Sequence, residues 1–132
     1  MLKKPISVAL AIVAVILMVM AGCRKTTTVI IDNSPDITTE VSFSKELSPL
    51  LTQNCALSGC HDGSVRPNLK TESALSSLIT GNYLNKQDPE NSEVYLYMTA
   101  KKTPAMPLGA PNNPDNINKI MLAWIKQGAK NN

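Results

Sequence analysis

Apolar and polar positions along the 132-residue chain divide it into stretches of different character. Ile6 to Met20 is a continuous apolar run broken by one Ser, and Lys3 and Lys4 precede it. Residues 24–42, RKTTTVIIDNSPDITTEVS, are rich in Thr, Ser and Asp and show no helical period, with Val29, Ile30 and Ile31 as a candidate short strand. From Phe43 onward the pattern turns helical. Phe43, Leu47, Leu50 and Leu51 fall at i, i+4, i+7 and i+8, one face of a helix running into Cys55. Pro49 interrupts this face, so either Ser48 caps a short helix or an earlier turn is kinked there. Residues 62–70, DGSVRPNLK, carry turn chemistry. Thr71 and Glu72 before Leu75, Leu78 and Ile79 predict a capped second helix ending at Gly81. Asp88, Pro89 and Glu90 open a third, with Val94, Tyr95 and Met98 on its apolar side. Residues 101–113 hold Pro104, Pro107, Pro111 and Gly109 and exclude regular structure. The clearest helix begins at Pro114 and Asp115, presents Ile117, Ile120, Met121, Trp124 and Ile125 as one stripe, and stops at Gly128. No segment alternates in a way that requires a sheet, so the predicted fold class is all-α, with about four short helices over residues 43–132.

The first stretch has the build of a secretory signal: a positive start, an apolar run and small residues before a cysteine. Met20, Ala21, Gly22 and Cys23 resemble a bacterial lipoprotein lipobox. That resemblance implies cleavage after residue 22, a diacylglycerol thioether on Cys23 and a lipid anchor in the cell envelope. The rival reading, an uncleaved anchor, meets an apolar run that is short against the roughly 20 residues of a span. Both readings place the remainder outside the cytoplasm. Residues 23–42 then read as the lipidated Cys and a flexible tether, about 25 Å long as a coil.

Without residues 1–22, 110 residues remain, enough for one small domain. Lys3 and Lys4 leave with the signal, so 11 basic residues face 10 acidic ones and the net charge falls from +3 to +1. No basic face suggests a nucleic-acid partner. With one Phe, one Trp and three Tyr, a domain of this size gains from a staple or a cofactor.

Candidate chemistry is concentrated in Cys55-Ala-Leu-Ser-Gly-Cys60-His61, which contains two of the three cysteines and the only histidine. A Cys directly before His, with a second Cys upstream, is the arrangement that attaches a c-type haem. Two thiols add across the porphyrin vinyl groups, and the adjacent imidazole becomes the proximal iron ligand. The usual spacing places two residues between the cysteines; here there are four, and Gly59 suits the bulge this demands. The bland alternative is a Cys55–Cys60 disulfide, the default for two thiols in an oxidising compartment. A structural zinc site would need four protein ligands, and two Cys with one His supply three.

The order of elements adds to this motif. A helix leads into Cys…Cys-His, Met106-Pro107 stands in a late loop, and Trp124-Ile125-Lys126-Gln127-Gly128-Ala129 closes the last helix. This arrangement resembles the small single-haem cytochrome c domains of bacterial envelopes over residues 43–130. The resemblance implies a cytochrome c-like fold around one covalent haem c, electron transfer with redox protein partners, and no enzymatic substrate chemistry. By that resemblance Cys55 and Cys60 hold the haem, His61 is the proximal ligand and Met106 the distal one. Met98 and Met121 compete for the distal role, but they lie on helical faces where packing explains them. Trp124 packs near the porphyrin or on the first helix, Arg66 pairs with a propionate or is a solvated surface residue, and the Pro67 carbonyl is a candidate partner for the second nitrogen of His61.

Three functions compete on this footing. The first is a membrane-tethered, monomeric single-haem electron carrier. The second is a haem-free structural or interaction lipoprotein with the disulfide. The third, a peroxidase or sensor with an open distal site, lacks a second His for acid–base work.

Overall fold

The computed structural model describes residues 35–109, 113 and 117–132. The expectations for the signal, Cys23, the strand at Val29–Ile31 and the helix start at Pro114 and Asp115 lie outside the described residues. Among those described, the domain is all-helical, with no strand. A π-helical turn, Phe43–Leu47, leads into α1 (Ser48–Asn54); α2 (Ala74–Thr80), a 3-10 turn (Pro89–Asn91), α3 (Glu93–Met98) and α4 (Ile117–Lys126) follow.

Of the two options for the first helix, the altered earlier turn is the one observed: Ser48 is the first residue of α1 and does not cap it. Pro49 sits in the first turn of α1, where its missing N–H costs no internal bond. The preceding turn is wound wide: Ser48 N–H donates to the Phe43 carbonyl and Leu47 N–H to the Ser42 carbonyl, each five residues back. Ser42, not Ser48, caps the start, its hydroxyl accepting from Lys45 N–H at 3.2 Å.

The second and third helices are shorter than their sequence patterns. Thr71 does not cap α2, because its hydroxyl is 3.0 Å from that of Thr52 instead, and the helix starts only at Ala74. Ile79, expected on the apolar side, is half exposed. The third helix is split at Ser92, whose extended backbone (ψ 132°) separates the 3-10 turn from α3. Ser92 is buried, and its hydroxyl accepts from Asn85 N–H at 2.9 Å, a local bond that competes with a continuous helix.

α4 is the spine of the core. Ile117, Met121, Trp124 and Ile125 are at most 1% exposed and pack with Phe43, Leu47, Leu51, Leu78, Val94 and Met98. The Trp124 ring lies 5.0 Å from that of Phe43, tilted by 37°. Its indole Nε1 donates to the Lys130 carbonyl at 2.8 Å. The helix ends at Gly128, whose φ of +97° suits glycine, and Ala129 N–H returns to the Trp124 carbonyl.

The packed unit also reaches upstream into the segment read as tether. Val41 is buried in the core and Ile37 packs against it. Gln127 clamps this strand-like lead with two bonds, accepting from Val41 N–H and donating to the Thr39 carbonyl, both at 2.8 Å. Lys130 pairs with Glu40 at 2.9 Å beside them.

Candidate functional site

α1 delivers the Cys–His segment. Cys55 is the first residue beyond the helix, and its N–H donates to the Leu51 carbonyl at 2.9 Å. The chain then doubles back: Cys60 N–H donates to the Leu57 carbonyl at 2.9 Å, and His61 N–H reaches the Cys55 carbonyl at 3.2 Å. The four intervening residues are therefore accommodated as a closed bulge. Gly59 turns it with φ +78°, and no atom lies within 4 Å of where a Cβ would stand. The glycine is needed for its backbone conformation, not for space.

The following loop fixes this bulge from the other side. Val65 N–H donates to the Cys60 carbonyl at 3.0 Å and Leu69 N–H to the His61 carbonyl at 2.7 Å. Asp62 accepts from Ser64 N–H at 3.1 Å, and hydrogen bonding with Ser64 holds its carboxyl below the usual range. His61 is half-buried, and its Nδ1 lies 3.0 Å from the Pro67 carbonyl oxygen. That oxygen can only accept, so Nδ1 carries the proton and Nε2 of the neutral ring keeps its lone pair. The carbonyl anticipated as the partner of His61 is thus its partner.

Cys55 is half-buried, Cys60 is exposed, and both are free thiols. Burial, and secondarily the charge of Cys60, push the Cys55 thiol up to about 11. The same loop carries two exposed apolar side chains, Leu57 at 52% and Val65 at 50%. Arg66 is on the surface.

Met106 stands on a different segment, half-buried, with its N–H donating to the Tyr97 carbonyl at 3.0 Å. The structure thus gathers Cys55, Cys60 and His61 on one loop and hangs Met106 from the end of α3. Met98 and Met121 are core residues, and Trp124 packs against Phe43 at the start of the first helix. A cleft of about 270 Å³ between Ser48, Thr71, Glu72 and Leu75 includes none of the four candidate residues. Among the described residues, no three His, Cys, Asp or Glu side chains are placed to share a metal ion. None of the described helices is long and apolar enough to cross a membrane.

Sequence reasoning missed Gln127 as the clamp on the upstream segment and Asn118 as a buried polar residue of α4. Asn118 stands beside Ile117 in the first turn of α4, where Lys119 is equally polar, so the sequence did not single it out. Compared with protein-family models, with curated proteins and with solved structures, the chain has no match.

Proposed function

We propose that this chain is a membrane-tethered, mono-haem c-type cytochrome that carries single electrons between redox proteins of the cell envelope. The observation that carries the reading is the His61–Pro67 bond, which leaves Nε2 as a lone-pair donor on the same short loop as two free thiols. A carbonyl partner on the far nitrogen is the support a metal-bound imidazole needs, because it fixes the tautomer and the ring orientation. The residue types suit the group: Cys55 and Cys60 would hold a haem by thioether links, and His61 and Met106 would supply ligands to its iron. The all-helical domain is then a cytochrome c-like fold, and Cys23 carries the lipid that confines it to a membrane surface.

A haem held there supplies an iron that gains and loses one electron with no substrate bond made or broken. The chain does the rest. Cys55 and Cys60 prevent loss of the group in a compartment without a haem buffer. Pro67 holds the proton on Nδ1, so His61 stays aimed. A thioether from Met106 raises the potential relative to a second imidazole, which suits a carrier. The lipid on Cys23 raises the effective concentration at partners on the same membrane.

The deciding experiment is a reduced-minus-oxidised spectrum after denaturation and extraction of loosely bound haem. The protein is made in a host whose maturation machinery accepts the four-residue spacing. One covalent haem per chain is the expected result. Colourless protein with Cys55 and Cys60 joined to each other would overturn the reading in favour of a structural lipoprotein.

A further inference from the structure

The last four carbonyls of a helix have no partner within it, and where they find partners decides what is attached to its end. At α3 the four are Tyr95, Leu96, Tyr97 and Met98. Tyr95 accepts from Thr99, through its N–H at 3.0 Å and its hydroxyl at 2.7 Å. Leu96 accepts from Lys102 N–H at 3.0 Å. Tyr97 accepts from Ala100 N–H at 3.2 Å and Met106 N–H at 3.0 Å. The end of α3 is therefore the jig on which the Met106 segment is built.

The fourth carbonyl, Met98, receives side chains instead. Asn113 Nδ2 donates to it at 2.9 Å, and Asn118 Nδ2, from the first turn of α4, at 3.4 Å. The Asn118 Oδ1 in turn accepts from Asn113 Nδ2. Asn118 is 4% exposed, in a helix whose other buried residues are apolar. A buried amide is tolerated only where its hydrogen bonds are made, so its place in the core is tied to this carbonyl and to Asn113.

We infer that Asn118 is a positioning residue for Met106: it fastens the C-terminal end of α3 to α4 and so fixes the platform from which Met106 reaches the distal side of a haem iron. The inference rests on the cytochrome reading proposed above. Asn113 works on the same carbonyl, so the two amides act as one latch.

The test compares the full haem-loaded chain with Asn118→Ala, Asn113→Ala and Met106→Ala variants. Two readouts are taken: amide hydrogen exchange, and the affinity of the ferric protein for added imidazole, which competes for the distal position. In Asn118→Ala, exchange at the Lys102 and Met106 amides accelerates about tenfold while the Gly128 and Ala129 amides keep their rates. Imidazole binds about tenfold tighter, approaching the Met106→Ala value, because the Met106 segment yields more readily. Asn113→Ala shows the same changes in smaller degree, and it serves alone if Asn118→Ala does not fold.

Unchanged imidazole affinity in a haem-loaded, Met106-ligated protein would overturn the inference and leave the cytochrome reading intact. Equal acceleration at Gly128 and Ala129 would also overturn it, since Asn118 would then serve the whole core. Colourless wild-type protein would refute the cytochrome reading itself, and the role toward a distal ligand with it.

Discussion

The half-buried thiol of Cys55 makes a quantitative prediction that needs no cofactor. Burial is the main reason its pKa rises from 9.0 to about 11, with the Cys60 charge second. Two pKa units correspond to a hundredfold change in ionisation. At pH 8 the thiolate fraction therefore falls from about 10% to about 0.1% on folding, and the thiolate is the species that alkylates. In a haem-free Cys23→Ser, Cys60→Ser variant, iodoacetamide should modify folded Cys55 up to about a hundredfold more slowly than the same residue in urea. In this variant the folded rate–pH curve should rise well above 9, short of about 11 by the share due to Cys60, and the unfolded curve at about 9. Restoring Cys60 supplies whatever part of the difference is its charge. Stability moves with the same sign: the folded state disfavours the thiolate, so its contribution is complete below pH 9 and is lost as pH rises to 11, about 3 kcal/mol in all. Folded Cys55 reacting as fast as the unfolded residue would show that the thiol is not enclosed at the end of α1, and the bulge described above would be wrong.

Two further substitutions probe the scaffold. Ser48 is buried with no partner for its hydroxyl, so Ser48→Ala should stabilise the domain by about 1 kcal/mol in denaturant unfolding, and a loss of that size would mean the hydroxyl has an essential partner. Trp124→Ala removes the ring packed on Phe43 and the bond to Lys130; it should cost about 3–5 kcal/mol, and a cost below about 1 kcal/mol would exclude Trp124 from the core.

How far the sequence could be read follows from what each signal depends on. The stripe of α4 was legible because its period reports burial on one face, and Ile117, Met121, Trp124 and Ile125 are all in the core. The Pro49 ambiguity was legible as an ambiguity, since a proline marks where the ladder must change but not how; here it changes by widening one turn. Thr71 misled because a hydroxyl in capping position is free to bond elsewhere, and Thr52 is within reach only once α1 and α2 pack. Ser92 split the third helix by a bond to Asn85 that spacing alone does not reveal. Val41 lies between polar residues, so nothing local marks it as core; the Gln127 clamp that places it spans 86 residues. At the candidate site, the Gly59 turn and the Pro67 carbonyl as the acceptor for His61 were readable, because both lie within one short loop. The platform for Met106 was not, because it depends on Asn118 meeting the end of another helix.

One observation independent of the motif bears on the choice between haem and disulfide. The described core is closed without a cofactor: Phe43, Leu47, Leu51, Leu78, Met121 and Trp124 already bury one another. Among the described residues, four large apolar side chains remain exposed, Leu57, Val65, Ile79 and Leu108. Leu57 lies between the two cysteines, Val65 lies four residues after His61, and Leu108 lies two residues after Met106. Three of the four therefore lie in the two segments that carry the candidate residues, and Ile79 lies on α2. A Cys55–Cys60 disulfide would consume the thiols, but it gives the His61–Pro67 bond no task and offers Leu57, Val65 and Leu108 nothing to cover them. A haem held by the same loop would use the thiols and the free Nε2 together, and its porphyrin would offer an apolar surface to exposed side chains of that loop. On this reading the protein part folds as a finished scaffold, and the exposed side chains of the two candidate loops would be the remainder that a cofactor covers.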